Sequence, residues 1–185
     1  AAYVPQIKAG LDVNDATFGL LLLCNALGLV SSMVVAPRLD SVLGARGLQF
    51  SSVAFALSFL MLGFATDAVS FGVAMVFVGA ASGLTDVLMN ARVSELEQQH
   101  RQPLMNANHG MFSVGYAVAA IASGLAREAQ IAPESAFVAV AGLIFILMIF
   151  LYMPPRDAAP GAATGGRYPL KPIIVCGLIV LVAFM

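Results

Sequence analysis

The sequence predicts an all-α bundle of membrane-spanning helices. The chain of 185 residues is 60% hydrophobic and only 10% charged, whereas a soluble domain usually carries about 25% charged residues. Five apolar runs are long enough to cross a bilayer, which takes roughly 20 residues per helix. These runs lack the alternating ten-residue pattern of a transmembrane β-barrel, so helices are the predicted elements.

The predicted spans are the five apolar runs that reach spanning length: 16–37, 48–66, 69–91, 104–126 and 134–153. Residues 154–172 are rich in Pro, Gly and Ala and predict a linker. A sixth apolar run covers 173–185 and is shorter than a span. Because the sequence starts without Met and stops inside this run, we expect a piece of a longer protein, truncated at both ends.

Lys and Arg residues predict the orientation of the bundle. Alternate loops carry seven and two of these residues, and the positive-inside rule places the richer set in the cytoplasm. The linker is then cytoplasmic, and residues 1–15 lie outside. Their change from apolar to polar fits the end of a preceding helix, which brings the expected helix count before residue 154 to six.

Composition also limits the partners. A net charge of −1 gives no reason to expect nucleic acid. Cys24 and Cys176 lie in apolar runs, and we interpret them as buried hydrophobic residues rather than as a disulfide or metal site. We expect no cofactor and no metal. The expected partners are membrane lipids, a small-molecule substrate and protons, and the expected state is a monomer.

Asp86 lies inside an apolar run, where a carboxylate costs about 2.5–3.5 kcal/mol on insertion scales. Ser82 and Asn90 lie four residues to either side, so the three residues share one helix face. Gly79 and Gly83 form a pair of small residues one turn apart, which predicts close contact with another helix. We therefore predict a helix that packs on one face and lines a wet cavity on another.

A second polar face is predicted on the span at 104–126, and its members are Asn106, His109, Ser113 and Tyr116. Asp86 and His109 each lie five residues from the cytoplasmic end of a predicted span, about 7–8 Å deep, so we expect them at one level. Such a pair can bind and release a proton or hydrogen-bond a hydrophilic solute. Alternatively, Asn90 or a hydroxyl holds Asp86, which then only fixes helix packing. Asn25 in the first span is a further candidate for lining the cavity.

The whole chain resembles the major facilitator superfamily, from the end of helix 1 into helix 7. Its segment YVPQIKAGLDVNDATFGLL resembles the passage from helix 1 to helix 2, and APRLDSVLGARG resembles the signature between helices 2 and 3. In that signature Asp40 matches the Asp, whereas Ala36 replaces a Gly, Ser41 replaces a basic residue and Gly44 comes one position late. The resemblance implies the N-terminal six-helix half of a twelve-helix fold. It also implies a cytoplasmic gate at Asp40 and Arg46, with Asp40 capping a neighbouring helix N-terminus.

Within the superfamily, the chain resembles the fucose permease-like branch and uncharacterised bacterial inner-membrane relatives of it. In that branch an acid in helix 4 is followed four residues later by Asn, as Asp86 is by Asn90. Its helix 5 has Asn, an amide three residues on, then Ser and Gly, matched here by Asn106, His109, Ser113 and Gly115. The resemblance implies proton coupling at Asp86 and substrate contact at His109, which stands where the branch has an amide. The other predicted substrate contacts are Asn90, Asn106, Ser113, Asn25 and Tyr116.

The sequence therefore predicts a secondary active transporter and not an enzyme. It would move a small polar solute across the bacterial inner membrane by alternating access between two six-helix halves, coupled to protons through Asp86. One alternative is a membrane receptor or scaffold that has the same fold and does not transport. The other is an intramembrane hydrolase using Ser113 and His109, which is disfavoured because side chains one turn apart on one helix run nearly parallel.

Overall fold

The computed structural model describes residues 2–149, and this part of the chain contains helices and no strand. The helices are α1 (Val4–Gly10), α2 (Asp15–Leu43), α3 (Gly47–Gly63), α4 (Ala68–His100), α5 (Leu104–Glu128) and α6 (Pro133–Ile149). A short 3-10 turn, Gly44–Arg46, joins α2 to α3. The predicted all-α class is confirmed. The predicted linker, the apolar run after it and Cys176 lie outside the described residues.

Three of the described helices, α2, α4 and α5, are long and apolar enough to cross a membrane. Two further apolar helices, α3 and α6, have 17 residues each. The short helix α1 lies where the sequence predicts the end of a helix before the first span. The described bundle therefore has the helix order that the predicted spans require.

Two helices run further than the predicted spans. The first span is predicted to end at residue 37, but α2 continues through Pro37 to Leu43. Pro37 removes one backbone donor, which membrane helices tolerate when neighbouring groups satisfy the freed carbonyl. Likewise α4 continues nine residues past residue 91 to His100, into a polar sequence. In both cases the helix ends several residues beyond the end of the apolar run.

The closest helix contact joins α2 to α4 through three glycines, which we call the glycine seam: Gly28, Gly79 and Gly83. A Cβ atom added at Gly79 would collide with the backbone carbonyl of Asn25, and one added at Gly28 would collide with the backbone carbonyl of Val76. Gly83 lies against the Ser32 hydroxyl in the same way. Absence of side chains lets the two backbones touch, and the predicted close contact at Gly79 and Gly83 is confirmed.

On its other side α4 packs against α3, which also packs against α6. Aromatic rings fill this contact: the Phe55 and Phe59 centroids are 5.1 Å apart at 68°, and those of Phe59 and Phe137 are 6.1 Å apart. Ser51 and Ser58 of α3 are fully buried, but each donates to a carbonyl one turn back in its own helix. Their hydroxyls are therefore satisfied without a polar neighbour.

Side chains cap the starts of α4 and α5. At the start of α4 the Asp67 carboxylate accepts the backbone N–H groups of Val69 and Ser70, and the Ser70 hydroxyl accepts the N–H of Asp67. At its end the chain turns through Arg101, whose φ is 51°. The Glu97 carboxylate then accepts the N–H of Met105 at 2.8 Å, so the last turn of α4 caps the first turn of α5.

Substituting a glycine of the seam tests this packing. Gly79→Ala is expected to lower the stability of the complete protein by about 1–3 kcal/mol, because the new methyl group meets backbone atoms that cannot move aside. Gly142→Ala is the matched control, since a Cβ there meets nothing within 4 Å and Ala favours the helix. Thermal unfolding of the purified proteins in detergent measures both effects, and equal melting temperatures would contradict the seam.

Acid is expected to weaken the start of α4. Its hydrogen bonds with Ser70 hold the pKa of Asp67 below the ordinary value. The ionised Asp67 cap therefore stabilises the fold fully at pH values above about 3.9, the pKa of Asp in an unfolded chain. This stabilisation is lost as the pH falls through the lower pKa that Asp67 has in the folded protein. Hydrogen exchange of the Val69 and Ser70 amides in the wild type should accelerate over this acidic range relative to Asp67→Asn. The Asn side chain retains an acceptor that does not titrate. Parallel exchange profiles in the two proteins would refute the titrating cap.

Candidate functional site

Three polar residues of α4 form the α4 polar stripe: Ser82, Asp86 and Asn90. Asp86 is half-buried, and Asn90 Nδ2 donates to its Oδ1 at 3.3 Å. The Ser82 hydroxyl instead donates to the carbonyl of Gly79 at 3.1 Å. The stripe therefore contains one direct side-chain hydrogen bond, between Asp86 and Asn90, and the carboxylate is only partly compensated.

The α4 polar stripe borders the glycine seam. Asp86 follows Gly79 by seven residues, which is close to two full turns, so the two positions lie on nearly the same side of α4. The wet face predicted for α4 stays a prediction, with Asp86 and Asn90 half-buried beside the packed glycine face. Asn25 belongs to this contact, because its Nδ2 donates to the carbonyl of Met75 at 3.4 Å and joins α2 to α4.

The α5 polar stripe, Asn106, His109, Ser113 and Tyr116, is exposed in the described part of the chain. The charge of His109 on α5 influences the Asp86 carboxylate on α4 less than the hydrogen bond from Asn90 does. The two residues are not equally far from their helix ends. Asp86 lies fourteen residues before the end of α4 at His100, and His109 lies five residues after the start of α5.

The Ser113 hydroxyl donates to the backbone carbonyl of His109 at 3.0 Å. It is thus engaged with the backbone of its own helix rather than with the imidazole ring. A serine nucleophile needs its hydroxyl within hydrogen-bond reach of the base that activates it. This geometry does not support the hydrolase alternative.

Asn108 is a buried polar residue that the sequence analysis missed. Its side chain is 1% exposed, and neither Nδ2 nor Oδ1 has a hydrogen-bond partner among the described residues. It lies on the buried edge of α5 with Leu104, Gly115 and Ala119. The spacing of these four residues could have identified this edge as buried, since small and apolar residues recur on it. The sequence analysis assigned the polar role to the neighbouring α5 face instead.

Charged residues gather where α2 and α4 end, and we call Asp40, Arg92 and Glu95 the Arg92 cluster. Arg92 is 7% exposed. Its Nη1 lies 2.6 Å from Glu95 Oε2, and its Nη2 lies 4.0 Å from Asp40 Oδ1. Arg46, the other predicted gate residue, is exposed on the turn after α2. The ion pair of Asp40 thus reaches α4, and its partner is Arg92, which was not among the predicted gate residues.

Among residues 2–149, no group of three or more His, Cys, Asp or Glu side chains could hold a metal ion. The chemistry available in this part of the chain is therefore that of the α4 and α5 stripes and the Arg92 cluster. A half-buried carboxylate beside an amide and an imidazole can take up a proton and can hydrogen-bond a polar solute. A bundle of apolar helices that holds such groups defines an integral, multi-pass membrane protein.

Comparison with known proteins gives the family. The family model described as Major Facilitator Superfamily matches residues 1–185, so the chain belongs to that superfamily. The uncharacterised transporter y4wD of Sinorhizobium fredii (strain NBRC 101917 / NGR234) is 29% identical over 186 residues, 98% of this chain and 49% of that protein. No solved structure matches the chain.

Two further relatives agree with this assignment. An uncharacterised MFS-type transporter of Yersinia pestis is 31% identical over 150 residues, 80% of this chain and 39% of that protein. The membrane protein MosC of Rhizobium meliloti is 30% identical over 154 residues, 83% of this chain and 38% of that protein. The chain thus spans half or less of the length of these relatives. The family and the relatives' names point to a transporter and not to an enzyme.

Removing the buried guanidinium tests the Arg92 cluster. Arg92→Met is expected to destabilise the complete protein by about 1–3 kcal/mol, because Asp40 and Glu95 lose their counter-charge while partly exposed to solvent. Arg38→Met, which removes an exposed arginine from the same end of α2, should change stability by less than about 0.5 kcal/mol.

The pairing of Asp40 with Arg92 is isolated by a double-mutant cycle. If the ion pair contributes, the effects of Asp40→Asn and Arg92→Met on the free energy of unfolding should not add. Strict additivity in thermal or denaturant unfolding would show that the two charges act independently.

Proposed function

We propose that the complete protein is a secondary active transporter that moves a small polar solute across the bacterial inner membrane by alternating access, with Asp86 as the proton-coupling site. The observation that carries this proposal is the half-buried Asp86 carboxylate, which is bonded to Asn90 and interacts electrostatically with His109 on the neighbouring helix. Membership of the superfamily supports the transport reaction itself.

Asp86 suits proton coupling because its charge is costly only when water leaves. An ionised carboxylate needs solvation or a counter-charge, and an apolar helix bundle supplies little of either. Its one direct hydrogen bond, from Asn90, is long at 3.3 Å. Taking up a proton removes the charge, so the protonated form fits a closed cavity and the ionised form fits an open, wet one. The proton gradient then biases the step between these two states.

The solute contacts proposed beside Asp86 are the α5 polar stripe and the amide of Asn90. His109 supplies a ring that donates or accepts according to its protonation, and Asn106 supplies both donors and an acceptor. The Ser113 hydroxyl and the Tyr116 phenol add groups that do both. Asn25 joins this set from α2, where its side chain donates to the Met75 carbonyl of α4. Groups of this kind recognise a polar solute through hydrogen bonds.

The proposed gate is at the cytoplasmic side, as the positive-inside rule places the ends of α2 and α4. Asp40 and Arg92 connect these two helices there, and Arg46 lies on the adjoining turn. Rocking of one half against the other exposes the site to each side in turn. A charge cluster at one end stabilises one of the two states through ion pairs that break in the other.

The coupling role is tested with the complete protein in proteoliposomes under an imposed pH gradient. Labelled sugars and small organic acids are screened for accumulation by the wild type, Asp86→Asn and Asp12→Asn. We expect Asp86→Asn to exchange solute in counterflow without accumulating it, because a neutral amide cannot release a proton. Asp12→Asn is the matched control, since Asp12 is exposed and has φ 50°, a conformation that Asn adopts readily.

The other outcomes are equally informative. If Asp86→Asn accumulates solute like the wild type, the carboxylate is structural and the proton assignment is wrong, while transport itself stands. If the wild type binds a solute from the panel but shows neither uptake nor counterflow, the receptor alternative is correct and the transporter proposal fails.

A further inference from the structure

Two asparagines of the α4–α5 pair, Asn90 and Asn108, have buried polar atoms without a hydrogen-bond partner within residues 2–149. Asn90 Oδ1 and both polar side-chain atoms of Asn108 are buried and have no hydrogen-bond partner among the described residues. Asn108 is 1% exposed, so its carboxamide is almost completely enclosed. An enclosed amide that makes no hydrogen bond costs free energy, which indicates that these atoms bind something small and polar.

Both amides lie on the cytoplasmic side of Asp86. Asn90 follows Asp86 by one turn towards the end of α4, and Asn108 lies four residues after the start of α5 at that same end. The two helices are consecutive, antiparallel and in contact. Asn90 already donates to Asp86 through Nδ2, and its Oδ1 remains able to accept a hydrogen bond from another group.

Most charged groups near the amides have partners of their own. On α4, Arg92 Nη1 pairs with Glu95, and Glu97 accepts the backbone N–H of Met105. Arg92 Nη2 lies 4.0 Å from Asp40 but is buried without a hydrogen-bond partner in the described part of the chain, so it is a third group near Asn90 that needs one. A water molecule fits the requirement, because it donates and accepts and because buried waters bind otherwise unsatisfied polar groups.

We propose that the carboxamides of Asn90 and Asn108 bind water molecules that carry protons between Asp86 and the cytoplasm. A hydrated proton on this water passes to an Asp86 carboxylate oxygen, which leaves neutral water and a neutral carboxylic acid, and release follows the reverse step. The amides hold the water in place and gain or lose no proton. The inference rests on the proposed function, since it needs Asp86 to titrate.

The probe is D2O, and the readout is infrared spectroscopy of the complete protein in lipid. The C=O stretch of protonated Asp86 is identified by its absence in Asp86→Asn, and its shift after transfer to D2O reports proton exchange. Asn108→Leu and Asn90→Leu are each expected to slow this exchange about tenfold, the effect of losing one hydrogen bond in the limiting step. Asn108→Ser keeps a hydroxyl that binds water and should restore most of the rate.

Gln99→Leu is the matched control, because it removes an exposed amide from the cytoplasmic end of α4. If Asn108→Leu does not fold, Asn108→Val, which is smaller, replaces it. If the folded apolar variants at Asn90 and Asn108 exchange the Asp86 proton at the wild-type rate, the water route is wrong and the transporter proposal stands. If no band depends on Asp86, the carboxyl does not titrate, and both the proton assignment and the water route fail.

Discussion

The contact of two helix backbones at the glycine seam is the constraint on which the described fold depends. Between apolar helices in a bilayer there is little hydrophobic driving force, so association depends on packing and on polar contacts. Gly28 and Gly79 let carbonyl groups of the opposing helix come as close as sterics allow. Because Asp86 and Asn90 border this seam, the same contact that holds α4 in place also fixes the position of the carboxylate.

A second connection between α2 and α4 works through charge instead of shape. Asp40 follows Gly28 by twelve residues, about 18 Å along α2, and pairs there with Arg92 of α4. A buried guanidinium requires counter-charges, so this connection is strong only while Asp40 and Glu95 remain close to Arg92. The seam depends on shape, whereas the Arg92 cluster depends on charge. The helices α2 and α4 are therefore joined by packing at the glycine seam and by charge at the Arg92 cluster.

The sequence was sufficient for the class of fold, for the seam and for the α4 polar stripe, because each depends on local spacing. The length of the hydrophobic runs predicts the helices, and Gly79 and Gly83 lie one turn apart. It was insufficient for Asn108, since periodicity identifies faces of a helix but not which face a neighbour covers. The contact between Arg92 and Asp40 joins residues 52 apart in sequence, which no local pattern contains.

Placing the carboxylate and the guanidinium on one helix has a mechanical consequence. Asp86 and Arg92 are six residues apart, about 9 Å along α4, and α4 is capped at its start by Asp67 and runs unbroken past both residues. A continuous helix of this kind moves as a unit, so a change in the solvation that Asp86 requires acts directly on the position of Arg92. In the proposed transporter no relay of side chains is needed to connect the proton site with the gate. Neutralising Asp86 lowers the free-energy cost of enclosing α4. The resulting movement of α4 alters the geometry of the ion pair between Arg92 and Asp40 of α2.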